Sequence, residues 1–338
     1  MKEETQSKYL GDILHTSGKI KFTINDRVAK GHGIISEIMS IIEEIPFGHR
    51  RVQVGLILRN AKFLNGILFN SECWHGITMA DIVRFERLDN ILLRGILGAH
   101  SKIPVESLHQ ESGTINIRYT LASRRILYLY DILQRDPKEI VPKYYFAQKV
   151  SSIQGDFCKL VESDLKLVGI NLTESEISSM TKSTFKKLTK RKCREAAIAY
   201  LTKLQKSHSK VEDITYQKHS VQKYLGSPLF NDRTRKLLLA LRTKTVRNLN
   251  VNFSSRNVRR ECQLKCDGIS IDSQQHQMEC ATLLKHVKRR DCIYSDIYSQ
   301  DIVRQAAVAK YYVELLDARE RILDEEDTLS AMDADPLH

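Results

Sequence analysis

The stretch INDRVAKGHGIISEIMSIIEEI, residues 24–45, decides the fold class. Ile24, Val28, Ile35, Ile38, Ile42 and Ile45 recur at spacings of three, four or seven, which puts them on one stripe of an α-helix and on no face of a strand. Pro46 and Gly48 then end the helix. Reading toward the C-terminus, Val52 to Phe69 is apolar around much of its circumference and predicts a second, buried helix. Trp74 falls in the connection after it. A third helix carries Ile82, Phe85, Leu88, Leu92 and Ile96 on one face, with Arg84, Arg87 and Asp89 elsewhere. A fourth, Arg118 to Leu133, has Ile126, Leu129, Tyr130 and Leu133 as its stripe. Reading back toward the N-terminus, Lys8–Leu14 and Lys19–Phe22 flank His15-Thr16-Ser17-Gly18, so residues 8–22 predict a short hairpin turning at 15–18.

Small and polar residues cluster at 150–156, where the sequence suggests a soft boundary. Beyond it, Phe157 to Val168 predicts a helix. Thr173 with Glu176 three residues on has the form of a capping box. A long basic helix follows over Ser183 to Lys206, a basic amphipathic helix over 232–249 with Leu237, Leu241, Val246 and Leu249 inward, and a last helix from Asp301 to Leu323. No repeat of 20–50 residues is present. The expected organisation is a β-hairpin (1–22), a helical unit (23–150), a basic helical region (156–255), a metal-knuckle segment (256–292), a C-terminal helix (293–326) and a disordered acidic tail (327–338).

The 338 residues suggest about two globular units, and 42% hydrophobic content is enough for a core. The start has no apolar segment of secretory type, and no apolar run reaches the roughly 18 residues a membrane span needs. Seven cysteines over so long a chain do not suggest a disulfide framework, so an intracellular, reduced protein is expected. The net charge of +12 is unevenly spread. Residues 182–210 hold ten Lys/Arg against Glu195 alone, and residues 233–260 hold nine and no acid. From Val313 onward nine acids face only Arg319 and Arg321. Such polarity suits a basic face on a polyanion. Lys186, Lys187, Lys190, Arg191, Lys192, Arg194, Arg242, Lys244, Arg247, Arg256, Arg259 and Arg260 are the residues expected to neutralise phosphates. Tyr200 and Tyr224 lie in or near these stretches, where stacking on bases is one role open to them and packing between helices is the expected role of each one individually.

Both stretches lead toward Cys262, Cys266, His276 and Cys280, a Cys-x3-Cys-x9-His-x3-Cys pattern. A structural zinc ion takes four soft or borderline donors in a tetrahedron, commonly three Cys and one His in two short-spaced pairs. His276 and Cys280 are four apart, one face of a helix. His286 and Cys292 are near enough to substitute. Phosphate-loop, dinucleotide-binding, metalloprotease and nucleophile-elbow motifs are all absent. So is any Asp-Asp pair for a two-metal centre. No catalytic residue is expected, and Asp296 and Asp301 read as helix caps.

The order of these features resembles the C-terminal portion of non-LTR (LINE-type) retrotransposon reverse transcriptases. The resemblance rests on Lys8-Tyr9-Leu10-Gly11 before the isoleucine-striped helix, the apolar helix ending in Glu72-Cys73-Trp74, the segments 84–94, 103–108 and 123–128, Ala240 to Lys244, and the four proposed ligands. It covers residues 6 to 325. It implies a mainly α fold: a helical thumb-like bundle behind a primer-grip hairpin, then a basic helical region with a small zinc knuckle. Lys8, Tyr9 and Gly11 would sit near a primer terminus. The implied partners are RNA and/or DNA and a separate or upstream palm domain, with no membrane; the implied location is nuclear. The family's first pair is Cys-x2-Cys, one residue shorter than here, and its catalytic aspartates would precede residue 6. The resemblance therefore implies a nucleic-acid-binding part that does not polymerise alone. Two alternatives are a segment of a longer active RNA-directed DNA polymerase and a helical protein-interaction module.

Overall fold

A computed structural model describes residues 5–333 except 10, 11, 47, 152, 154, 209, 210, 212, 213, 215, 217, 247–260, 265 and 267–269, with the side chains of 9, 14 and 327–333 also outside the description. Among the described residues the chain is mainly helical, with one antiparallel hairpin at its start. Strands β1 (Gln6–Tyr9) and β2 (Asp12–His15) pair Tyr9 with Asp12 and Gln6 with His15. The turn therefore lies between Tyr9 and Asp12, not at 15–18. Gly18, at φ 65°, instead redirects the chain into α1 (Lys21–Glu43), so the expected second strand begins a helix. Tertiary contacts explain the change. Thr23 Oγ1 accepts from Ile13 N–H at 3.0 Å and donates to the Ile13 carbonyl at 3.1 Å, and Arg27 reaches Asp12 at 3.0 Å.

Of the expected stripe, Ile24, Ile35, Ile38 and Ile42 are buried on α1, Val28 is half-buried, and Ile45 lies half-buried just beyond the helix end. Helix α2 (Gly48–Leu58) runs through a widened π-helical turn (Arg59–Phe63) into α3 (Leu64–Ile67), where the sequence suggested one continuous helix. The turn carries Arg59 inward to Asp89 of α4 (Met79–Leu97), a two-pronged pair at 2.6 Å on both prongs. Asp89 is thus buried, contrary to its place off the apolar stripe. Close approach of α2 and α4 needs Gly55, where a Cβ would stand 2.8 Å from Ile96. Helices α5 (Val105–Ser112) and α6 (Ile117–Leu133) follow, then α7 (Ile140–Ser151), α8 (Phe157–Val168), α9 (Glu174–Ser179) and α10 (Lys182–Lys206). Thr173 and Glu176 form the expected capping box.

Two cores result, and they do not follow the expected divisions. One packs Tyr119, Ile126 and Leu129 of α6 with Phe157, Val161 and Phe185, crossing the proposed boundary at 150–156. The other joins α1–α5 to residues 224–323. It includes α11 (Asp232–Arg242), α12 (Gln274–Glu279), α13 (Ala281–His286) and α14 (Ile302–Asp333). Helix α11 stops at Arg242, where the sequence suggested 249, because Lys244 takes φ 50° and Thr243 Oγ1 donates back to the Leu239 carbonyl at 2.9 Å. Leu241 and Val246 are buried as expected and Leu237 half-buried; Leu249 lies outside the described residues. Helix α14 continues to Asp333, into the stretch expected to be a disordered tail.

Helix α5 sits where the cores meet, and nearly every residue from Glu106 to Ser112 is buried. His109, 2% exposed, is held down to about pKa 4 by burial, with Arg59 and His219 adding to the depression. An unfolded histidine titrates at 6.5, so between pH 6.5 and 4 the unfolded chain binds a proton that the folded one refuses. The contribution of His109 to stability is therefore full above pH 6.5 and falls by about 3 kcal/mol as pH drops to 4. Urea unfolding from pH 7 to 4.5 is expected to show this loss, and His109→Gln to flatten the profile. Equal slopes in the two proteins would contradict the assignment.

Candidate metal centre and basic face

Between α11 and α14 the chain makes a small loop closed by an antiparallel bridge of Glu261 with Ile271 and by Cys262 N–H donating to the Ser270 carbonyl at 2.8 Å. Cys262 and Cys266 lie on this loop, His276 on α12 and Cys280 at its C-terminal cap. The α12 N-terminus is set by Ser273, whose Oγ accepts from His276 N–H at 3.2 Å. These constraints bring four donor atoms within 4.8 Å of one another. Cys262 Sγ and Cys280 Sγ are 4.0 Å apart, and Cys266 Sγ is 3.3 Å from His276 Nε2. A tetrahedral zinc ion with bonds near 2.3 Å to sulfur would separate its donors by about 3.5–3.8 Å. The four residues therefore fit a tetrahedral cation in donor type and in spacing. Burial raises the thiol pKa of Cys262 and, to about 12, that of Cys266, and crowding by the neighbouring thiols adds to it. A divalent cation at their centre would reverse that by stabilising thiolates. His286 and Cys292 lie outside this group, so among the described residues the substitutes are not needed.

The sequence did not single out what holds this loop in place. Asp272, fully buried between the two ligand pairs, receives both Nη atoms of Arg319 of α14 at 2.7 Å and Gln277 Nε2 at 2.6 Å. Arg319 is 1% exposed and also donates to Gln263 Oε1. Tyr294 O–H donates to Gln274 Oε1 at 2.8 Å. The signal for Asp272 was weak, one of three acids in the stretch 261–273, and nothing local marked Arg319 among the acids of α14.

The basic residues divide into two kinds. Helix α10 buries Phe185, Thr189, Cys193, Ala197, Leu201 and Gln205, one residue every fourth position, against α6, α5 and α8. At 100° per residue, Lys186, Lys187, Lys190, Arg191 and Arg194 then occupy the outer arc, and all are exposed. Lys186, Lys187 and Lys190 have no carboxylate within ion-pair distance among the described residues. Arg191 and Lys192 share Glu195 at 3.8 and 3.5 Å, with Lys192 half-buried, and Arg194 donates to the His219 carbonyl. Tyr200 is exposed beside Tyr119.

The second stretch behaves differently. Arg233 pairs with Asp317, and buried Arg235 with Asp232 at 2.8 Å. Arg242, expected on a phosphate-binding face, is 4% exposed. It bonds Glu111 Oε1 at 2.8 Å and the Ile297 carbonyl at 2.8 Å. Its guanidinium lies 5.6–5.8 Å from the ring centres of Tyr216, Tyr224 and Tyr298, so Tyr224 is a wall of this buried cage and not a stacking platform. The acid Glu111, 131 residues away, captures the cation because a buried carboxylate needs a partner. Lys244 is half-buried, and Arg247, Arg256, Arg259 and Arg260 lie outside the described residues. In the hairpin, Lys8 is exposed 3.6 Å from Asp26, the Tyr9 backbone belongs to β1, and Gly11 lies outside the described residues.

No helix is long and apolar enough to cross a membrane among the described residues. No protein-family model, curated protein or solved structure matches this chain.

Proposed function

We propose that this chain is a nucleic-acid-binding module that grips the sugar–phosphate backbone with the outer arc of α10. The observation that carries this reading is the row Lys186, Lys187, Lys190, Arg191 and Arg194, exposed on a helix whose opposite face is anchored every fourth residue. A fixed helix spends little ordering entropy in presenting cations, and each phosphate it neutralises releases counterions. The burial of Arg235 and Arg242 takes these two arginines of α11 out of the binding face. The four-donor loop would hold zinc through Cys262, Cys266, His276 and Cys280, and the metal's part is structural: it fixes the loop against α11 and α14.

In this reading the chain corresponds to the thumb and knuckle part of a LINE-type reverse transcriptase-like protein. It binds RNA or DNA, and polymerisation belongs to a palm domain supplied elsewhere. The resemblance supports the correspondence through the order of its motifs. Binding of a blunt duplex, followed by fluorescence anisotropy across 50–300 mM salt, tests the α10 face. Replacing Lys186, Lys187, Lys190 and Arg191 together by glutamine is expected to reduce the slope of log K against log salt by about 3–4 and to leave the fold intact. An unchanged slope would remove α10 from the interface.

A further inference from the structure

The connection between α3 and α4 separates two depressions that share His75 as a common wall. One is a cavity of about 370 Å³ that sets four aromatic side chains, Tyr128 of α6, Tyr144 and Tyr145 of α7 and Phe157 of α8, beside the aliphatic Ile132, Ile140 and Val141. Phe157 meets Tyr128 and Tyr145 edge to face, with ring centres 5.6 and 6.2 Å apart, so flat walls stand at steep angles around the space. Tyr144 is 68% exposed while still lining the cavity. Cys73 and the buried Gln148 supply polar groups at its edge.

The other depression, about 390 Å³, is lined by Lys19, Lys21 and Arg84. Lys19 and Lys21 are exposed and have no carboxylate within ion-pair distance among the described residues. Asp81, the acid of this cleft, is already engaged: its carboxylate accepts from Thr78 N–H at 3.1 Å and Thr78 Oγ1 at 2.7 Å, and Arg84 lies 3.8 Å from it. The cleft therefore keeps an excess of positive charge next to an aromatic box.

We infer that the two depressions together take one unpaired nucleotide, the base stacked on the exposed ring of Tyr144 beside the packed pair Tyr128 and Phe157, and the phosphate on Lys19, Lys21 and Arg84. An apolar side chain would fill the cavity without needing the cations beside it, and a bare phosphate would need no aromatic walls. A nucleotide joins a flat π-face to an anion a few ångströms away, which is the sequence of surfaces found here. The inference extends the nucleic-acid reading but uses none of the α10 residues, so the two can fail separately.

The test uses the full zinc-loaded chain and a DNA hairpin duplex carrying a single unpaired 2-aminopurine at its 3′ end, with the blunt duplex as reference. Stacking is expected to quench the 2-aminopurine fluorescence severalfold and to make the overhang duplex bind about tenfold tighter than the blunt one. Tyr144→Ala should abolish both effects while Tyr144→Phe retains them, and the pair Lys19→Gln with Lys21→Gln should weaken overhang binding without affecting the blunt duplex. A parallel titration with free 2-aminopurine nucleoside monophosphate separates the sources. Quenching there as well assigns a free nucleotide as an occupant, and quenching with the overhang alone assigns a strand end. Salt-dependent binding of the blunt duplex with no gain from the overhang would overturn the pocket and leave the α10 face standing. Absence of all nucleic-acid binding would overturn both. Quenching that persists unchanged in Tyr144→Ala would overturn the inference.

Discussion

Asp272→Ala is expected to destabilise the folded chain by about 3–5 kcal/mol, the cost of breaking a buried ion pair by removing one member. Asp272 and Arg319 are both essentially inaccessible, joined by two hydrogen bonds of 2.7 Å, and they tie the loop between the ligand pairs to α14. Removing the carboxylate takes this counter-charge away from a guanidinium that stays buried. The reverse change, Arg319→Ala, takes both guanidinium bonds from Asp272 and should cost a similar amount. Joint replacement by Asp272→Leu and Arg319→Met removes both desolvation penalties and should recover much of the loss. Guanidinium chloride unfolding of the three variants at saturating zinc measures these differences. A loss under about 1 kcal/mol for Asp272→Ala, the range of an exposed pair, would show that the pair is not buried in solution.

Zinc binding should have the other large effect. The chain is expected to take up one zinc ion, and cobalt in its place should give the absorption of a tetrahedral site with thiolate ligands. Cys280→Ala should weaken zinc affinity by more than about a hundredfold, beyond what loss of an outer-shell partner costs. Cys292→Ser should leave affinity unchanged, because Cys292 lies outside the cluster of four. Chelation should lower thermal stability, since ligands that meet only in the folded loop make binding energy part of folding energy. Equal zinc affinity in the native chain and Cys280→Ala would disprove the ligand set.

How far the sequence could be read depended on the range of the interaction. Elements set by local chemistry were legible. The α1 stripe, the Thr173–Glu176 cap and the span of α8 depend on residues within a turn or two of each other, and each was found. The ligand pattern was legible too, because four donors in nineteen residues, 262–280, are a local signal. The hairpin turn was misplaced because Gly18 breaks the chain equally well at the end of a strand or before a helix, and Thr23 decides between them through space. Arg242 reads as a surface cation in the sequence because the net charge of a stretch does not reveal which of its side chains are paired and buried. Arg59, Arg125, Arg242 and Arg319 are buried by acids 30 to 131 residues away, a fact that no window of neighbouring sequence contains. Helix α10 escaped this error because its apolar stripe fixes which cations face outward.

The most direct test of the account is lysine acetylation footprinting of the zinc-loaded chain with and without bound duplex, read by peptide mass spectrometry. Lys186, Lys187 and Lys190 are expected to become protected when the duplex binds, while Lys285 and Lys288, exposed beside the knuckle, serve to show whether the contact extends beyond α10. Equal modification of Lys186, Lys187 and Lys190 in the free and bound chain, with the duplex demonstrably bound, would contradict the claim that α10 is the phosphate-binding face.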